Sequence, residues 1–164
     1  MGMSAPAYVA VIGASNATDW ERETAHRLGT LLAEAGAVLV CGGLGGVMDA
    51  AARGSEEAGG TSIGILPGDD RALASPHLTV AIATGFGEAR NAIVARSADA
   101  VIAVGGEFGT LSEIALALKM GTPVIGVGTW ELGRDDLERD PIVRAETPEQ
   151  ALESLRRVLP TFGS

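Results

Sequence analysis

Residues 99–127 read D-A-V-I-A-V-G-G-E-F-G-T-L-S-E-I-A-L-A-L-K-M-G-T-P-V-I-G-V. Few folds accommodate this succession of strand, glycine loop, helix, glycine stop and strand. Residues 100–104 form a wholly apolar run, as in a parallel strand covered on both faces. Gly105, Gly106 and Gly109 supply a loop with little side-chain bulk, through which backbone amides can approach a ligand. Thr110 and Glu113 stand three apart, so the spacing predicts a capping box and a helix that starts at Thr110. Gly121 ends that helix and Pro123 stands just past it. A glycine loop feeding a helix N-terminus gathers unpaired N–H groups at the positive end of the helix dipole, which suits a phosphate or another anion. Glu113 has two open readings here: it caps its own helix, or it faces a ligand.

The same unit recurs along the chain. Residues 8–12 form a short apolar strand that runs into Gly13-Ala14-Ser15-Asn16. A helix then starts near Thr18 or Asp19, and Trp20, Thr24, Leu28, Leu31, Leu32 and Ala35 mark its buried stripe. Residues 37–41 form a second strand that enters Gly42-Gly43-Leu44-Gly45-Gly46, followed by a helix over residues 47–58. Strands are expected over residues 61–66 and 78–83, and Gly85 and Gly87 lead into a helix carrying Arg90 and Asn91. Residues 129–140 read as an acidic, irregular loop, and Thr147, Pro148 and Gln150 open a last helix with a second capping box. Alternating strands and helices predict a doubly wound parallel α/β sheet with right-handed crossovers. Three strands end in glycine, at Gly13, Gly42-Gly43 and Gly105-Gly106, and parallel strands deliver all three loops to the edge where such sheets bind ligands.

The 164 residues predict a single domain over residues 1–164, with residues 1–6 as a tail. No apolar run is long enough to cross a bilayer, and the N-terminus lacks the basic flank and apolar core of a secretory signal. The one cysteine, Cys41, ends an apolar run and reads as a buried thiol, which leaves no disulfide framework and no multi-cysteine metal site. A cytoplasmic protein with no metal and no cofactor is expected. A net charge of −9 argues against general nucleic-acid or anionic-membrane binding. An anionic ligand must therefore be held locally, by helix N-termini and arginine. The first loop lacks G-x-G-x-x-G and no Walker lysine follows any glycine loop, which disfavours hydride transfer and NTP hydrolysis. The candidate contacts are Gly13 and Ser15 in the first loop, Gly43, Gly45 and Gly46 in the second, and Gly106, Gly109 and Thr110 in the third. Arg90 is placed for a phosphate or carboxylate, and Asn91 for a base or ribose. Met48 reads as core, Asp49 as a first-turn residue, Arg96 as structural and His77 as an ordinary loop residue.

G-G-L-G-G-V-M-D at residues 42–49, G-E-A-R-N at 87–91 and G-G-E-F-G-T-L-S-E at 105–113 together resemble the LOG-like proteins. These are Rossmann-like proteins that include cytokinin-nucleotide phosphoribohydrolases. The A-R-N and G-G variants look closer to the subgroup containing molybdenum-cofactor carrier proteins. The resemblance covers roughly residues 9–127. It implies that Arg90 and Glu113 are catalytic in a hydrolase, cleaving the N-glycosidic bond of a nucleoside 5′-monophosphate, while Gly109 and Thr110 hold the phosphate. It also implies a homodimer or homotetramer that binds a nucleotide or another phosphate-bearing small molecule. As an alternative it implies a non-catalytic carrier or sensor of a nucleotide or pterin phosphate such as molybdenum cofactor. Three positions depart from the hydrolase pattern: Gly105 stands in place of proline, Glu107 in place of glycine and Asn91 in place of lysine. Glu107 adds negative charge to the anion loop, and Asn91 removes a cation.

Overall fold

The computed structural model describes residues 5–162, so most of the tail expected over residues 1–6 lies outside the described residues. Seven parallel strands form one sheet in the order β4-β3-β2-β1-β5-β6-β7. They are β1 Tyr8–Gly13, β2 Val38–Cys41, β3 Thr61–Leu66, β4 Val80–Ala83, β5 Ala100–Val104, β6 Val124–Val127 and β7 Val143–Ala145. The helices are α1 Asp19–Glu34, α2 Val47–Glu57, α3 Arg90–Arg96, α4 Phe108–Lys119 and α5 Pro148–Val158.

The period-two alternation of the central strands builds two cores. Val9, Val11, Leu39, Ile102 and Val104 face α1, α2 and α5, where Leu28, Leu32, Ala51 and Leu155 meet them. Ala10, Ile12, Val40, Val101 and Ala103 face α3 and α4, where Val94, Ile114 and Ala117 close the layer. Because both faces are covered, β1, β2 and β5 carry no polar residue at a buried position, as parallel strands require.

Four local readings need correction. The helix after β5 begins at Phe108, not Thr110. Gly105 (φ +51) and Gly106 (φ +98) turn the chain sharply, and Glu107 is extended as the N-cap residue. Thr110 thereby falls inside the first turn, and no capping box forms with Glu113. Trp20 is 48% exposed instead of lying in the stripe of α1. Its ring lies over Gly128, where a β-carbon would overlap it. The third correction concerns β7, a strand the sequence pattern does not show, which pairs along the outside of β6 through Ile125–Val143 and Val127–Ala145. At the last helix Thr147 caps the Gln150 amide as expected, but the Gln150 side chain accepts from the Glu146 amide and not from Thr147. Among the described residues no helix is long and apolar enough to cross a membrane.

Candidate functional site

The chain lays down β1 to β4 outward in one direction, then returns to place β5 against the other side of β1. Gly13 and Val104 are register partners, so the loops leaving β1 and β5 start side by side. One leads to α1 on the first face and the other to α4 on the second. The parting of these loops opens a cleft of about 460 Å³. This is the switch point at which doubly wound sheets bind their ligands, and the volume lies within the usual range of small-molecule sites.

Of the residues singled out in the sequence, Gly13, Ser15, Arg90, Asn91, Gly109, Thr110 and Glu113 line this cleft. Gly43, Gly45, Gly46 and Gly106 do not. Gly43 (φ +77) lies against Gly64 and Leu66, and its carbonyl accepts the Ser75 amide at 2.9 Å. Gly46 (φ +66) packs against the Ala14 and Ser15 backbone, where a β-carbon would overlap it, and Val47 N–H donates to the Ala14 carbonyl at 3.0 Å. The second glycine loop therefore serves as the packing platform under the first. Gly45 has open space around it, with Ser15 O as its nearest neighbour. The Gly106 amide donates to Glu21 Oε1 at 3.1 Å and is not turned into the cleft.

Arg90, the first residue of α3, reaches back under the sheet edge. Its Nη1 donates to the Gly42 carbonyl at 2.6 Å and to the Ile65 carbonyl at 2.9 Å, which ties together the ends of β2 and β3. A β-carbon at position 42 would overlap that guanidinium and Met48 Sδ, so a larger residue there would have to displace the arginine or the methionine. Arg90 Nε is buried and has no hydrogen-bond partner among the described residues. Burial weakens its proton affinity, against the attraction of Glu113 and Cys41.

Glu113 faces the cleft from the second turn of α4. Burial pushes its carboxyl up to about 7, and the nearby Arg90 charge only partly offsets this. Near neutral pH the group is thus divided between acid and carboxylate, the condition in which one side chain can give or take a proton. Burial likewise pushes the Cys41 thiol up to about 11, so it stays protonated and unreactive. Asn91 Nδ2 donates to Ser112 Oγ at 3.1 Å and bridges α3 to α4 at the rim of the cleft.

The helix N-termini differ in a telling way. Among the described residues Thr18 caps α1 and Thr147 caps α5 with their side chains, whereas no side chain caps α2, α3 or α4. The first-turn amides of α4 therefore lack a side-chain acceptor at the point where Gly109 and Thr110 border the cleft.

Sequence reasoning missed Ala14, Asn16, Met48, Pro67, Gly87 and Glu88 as lining residues, and Glu21 behind the loop; Glu107, read from the sequence only as added charge in the anion loop, lines the cleft as well. Glu21 had a legible signal: Thr18-Asp19-Trp20-Glu21 is itself a T-x-x-E capping pattern, and the structure forms that box in full. The two histidines lie away from the cleft, paired at 2.6 Å as His77 Nδ1 with Glu56 and His26 Nε2 with Glu57. Asp49 accepts a hydrogen bond from Ser75 Oγ at 2.6 Å.

The model of the SLOG cluster4 family matches residues 6–152. An uncharacterized protein of Archaeoglobus fulgidus is 42% identical over 149 residues, covering 88% of this chain and 91% of its own. The molybdenum cofactor binding protein of the phototrophic bacterium Rippkaea orientalis superposes with a TM-score of 0.86 at 37% identity, over 96% of this chain and 99% of that one. The molybdenum cofactor carrier protein of Chlamydomonas reinhardtii superposes with a TM-score of 0.84 at 33% identity, over 96% and 100%.

Proposed function

The chain belongs to the SLOG cluster4 family, and from that premise we propose that it binds a phosphate-bearing heterocycle as a carrier, with a pterin phosphate of the molybdenum-cofactor type as the leading candidate. The observation that carries this reading is the N-terminus of α4, which opens on the cleft at Gly109 and Thr110 with no side-chain cap of its own. A phosphate there would meet backbone N–H groups and the positive end of the helix. Glu88 and Glu107 also line the cleft, Glu107 as the N-cap residue of α4 beside the proposed phosphate position. Their carboxylates favour the N–H donors of a heterocycle and disfavour a second phosphate. Similarity to two molybdenum cofactor binding proteins over nearly the whole chain supports the same ligand class.

A second reading, hydrolysis of the N-glycosidic bond of a nucleoside 5′-monophosphate, is favoured by one observation. Glu113 is released from helix capping, faces the cleft and titrates near neutrality. A carboxyl group so placed would stabilise an oxocarbenium-like transition state as the carboxylate, or give a proton to the departing base as the acid. Arg90 is bound to two carbonyls, so in either reading its task is to hold the cleft wall and bias Glu113.

One titration separates the readings. Inorganic phosphate, AMP, GMP and a pterin phosphate are each added to the purified protein while thermal stability and free base are followed. A ligand at about a hundred times its dissociation constant adds roughly 2.7 kcal/mol. The carrier reading expects the pterin phosphate to stabilise most, with no base released from AMP or GMP. Base release that disappears in Glu113→Gln would replace it with the hydrolase, and no shift with any anion would remove both.

A further inference from the structure

Glu21 performs two tasks with one carboxylate. Its Oε2 accepts the Thr18 amide at 2.7 Å and the Thr18 hydroxyl at 3.0 Å, completing the capping box of α1. Its Oε1 crosses to the other side of the switch point and accepts the Gly106 amide at 3.1 Å. The approach is so close that a β-carbon on Gly105 would overlap the Glu21 carboxylate. Two further bonds hold the same loop from outside. The Gly105 carbonyl accepts from Thr129 Oγ, and the Glu107 carbonyl accepts from Trp130 Nε1 at 3.2 Å.

From this geometry we propose that Glu21 is a positioning residue of the anion site, clamping the Gly105–Glu107 loop so that the first-turn amides of α4 face the cleft. The inference rests on the anion-binding reading of that cleft, and Glu21 itself does not line it. The loop contains two consecutive left-handed glycines, a backbone with many alternatives unless something selects one. Its amide at position 106 needs an acceptor, and a charged acceptor makes the stronger bond. Glu21 supplies that acceptor from α1, the helix that begins the opposite wall of the cleft, so the two walls are set at a fixed spacing. With the outer amide already satisfied by a carboxylate, the loop offers its ligand the amides that follow Glu107 and no second anion position at Gly106. Burial works against the Glu21 charge, but the hydrogen bonds from Thr18 and Gly106 outweigh it and hold the carboxyl below its ordinary range, so the clamp is charged at neutral pH.

The test compares wild type, Glu21→Ala and Thr18→Ala. Both variants break the capping box, and both are expected to lower Tm by a similar amount; only Glu21→Ala frees the Gly106 amide. Two readouts are taken: the affinity for inorganic phosphate and for GMP, and the hydrogen-exchange rate of the amides at residues 106 and 108–110. The clamp requires at least a tenfold loss of affinity in Glu21→Ala, against less than threefold in Thr18→Ala. It also requires fast exchange at Gly106 in Glu21→Ala alone. Equal losses in the two variants, or unchanged exchange at Gly106 in Glu21→Ala, would overturn it. If wild type binds neither probe, the anion-site reading fails on its own, while the exchange data still decide whether Glu21 holds the loop.

Discussion

At the scale of single residues, burial makes the charge on Glu113 costly. Its carboxyl sits at about 7 against an ordinary value of 4.5, because burial penalises the anion more than Arg90 rewards it. The folded state therefore holds this proton more tightly than the unfolded chain. Its contribution to stability is greatest below pH 4.5, falls between 4.5 and 7, and stays at its lowest above 7. Glu113→Gln mimics the protonated acid and removes that dependence. The stability gap between variant and wild type should grow from near zero at about pH 4 to about 3 kcal/mol above about pH 8, with the variant the more stable. Paired thermal melts across that range check it, and a gap independent of pH would show that the side chain is solvated. Perturbed carboxylates of this kind cluster at functional sites. The same substitution serves as the catalytic control, so its stability effect must be known before any loss of activity is interpreted.

At the scale of elements, α1 and α2 approach until their backbones touch. A β-carbon on Gly29 would overlap the Ala51 carbonyl, and one on Gly54 would overlap the His26 carbonyl, so the two glycines form a reciprocal pair across the crossing. In an isolated helix Gly→Ala gains about 1 kcal/mol. Here the obstacle is backbone, which cannot swing aside as a side-chain tip can. Gly29→Ala and Gly54→Ala should each destabilise by about 1–3 kcal/mol or more. Urea unfolding measures the change, and a gain in stability would mean that the helices can separate freely. The consequence reaches the site, because α1 carries Glu21 at its start and α2 follows the loop that supports Ser15. Close helix packing on one face thus sets the position of one cleft wall.

At the scale of the whole molecule, the two faces of the sheet are finished differently. The α1–α2–α5 face is closed over a continuous core. On the other face Val80 and Ile82 of edge strand β4 are 45% and 47% exposed, Phe86 follows them, and Phe108 at the head of α4 is 77% exposed. The register pairs Val80 with Ile63 and Ile82 with Ile65, which places both side chains on the α3–α4 side. Helix α4 itself is apolar nearly all round, although only Thr110, Ile114 and Ala117 are buried. Exposed apolar side chains of this kind are what an interface between subunits uses, and we expect the chain to self-associate through the α3–α4 face. Light scattering at micromolar concentration should give a dimer or tetramer, and Ala115→Arg, an exposed position on α4, should return the monomer mass with little change in Tm. A monomer mass for the wild type would remove the idea.

Much of the architecture was legible in the sequence because the signals are local. The central strands β1, β2 and β5 are apolar runs of four to six residues that lead straight into glycine, the helices carry their own period, and parallel strands must send their loops to one edge. That reasoning reached seven of the residues that line the cleft. What it could not decide depends on contacts between distant parts of the chain. T-x-x-E occurs at Thr18–Glu21 and at Thr110–Glu113, and the pattern alone makes the two equal candidates for a capping box. Only the first forms, because the left-handed turn at Gly105-Gly106 starts α4 before Thr110 and frees Glu113 for the cleft. Arg90 finds its carbonyl partners 48 and 25 residues away, so its spacing could not reveal that it is a brace. The second glycine loop matched the anion-binding pattern, yet its Gly43 and Gly46 are taken up by contact with Gly64, Ala14 and Ser15. Strand β7 is three residues long, too short to carry a period, and it exists because β6 offers an unpaired edge. Local pattern determined which elements form and the edge at which they meet; which amide, carboxylate or glycine remains free for a ligand was decided by packing across the sheet, since only packing determines which polar groups already have partners.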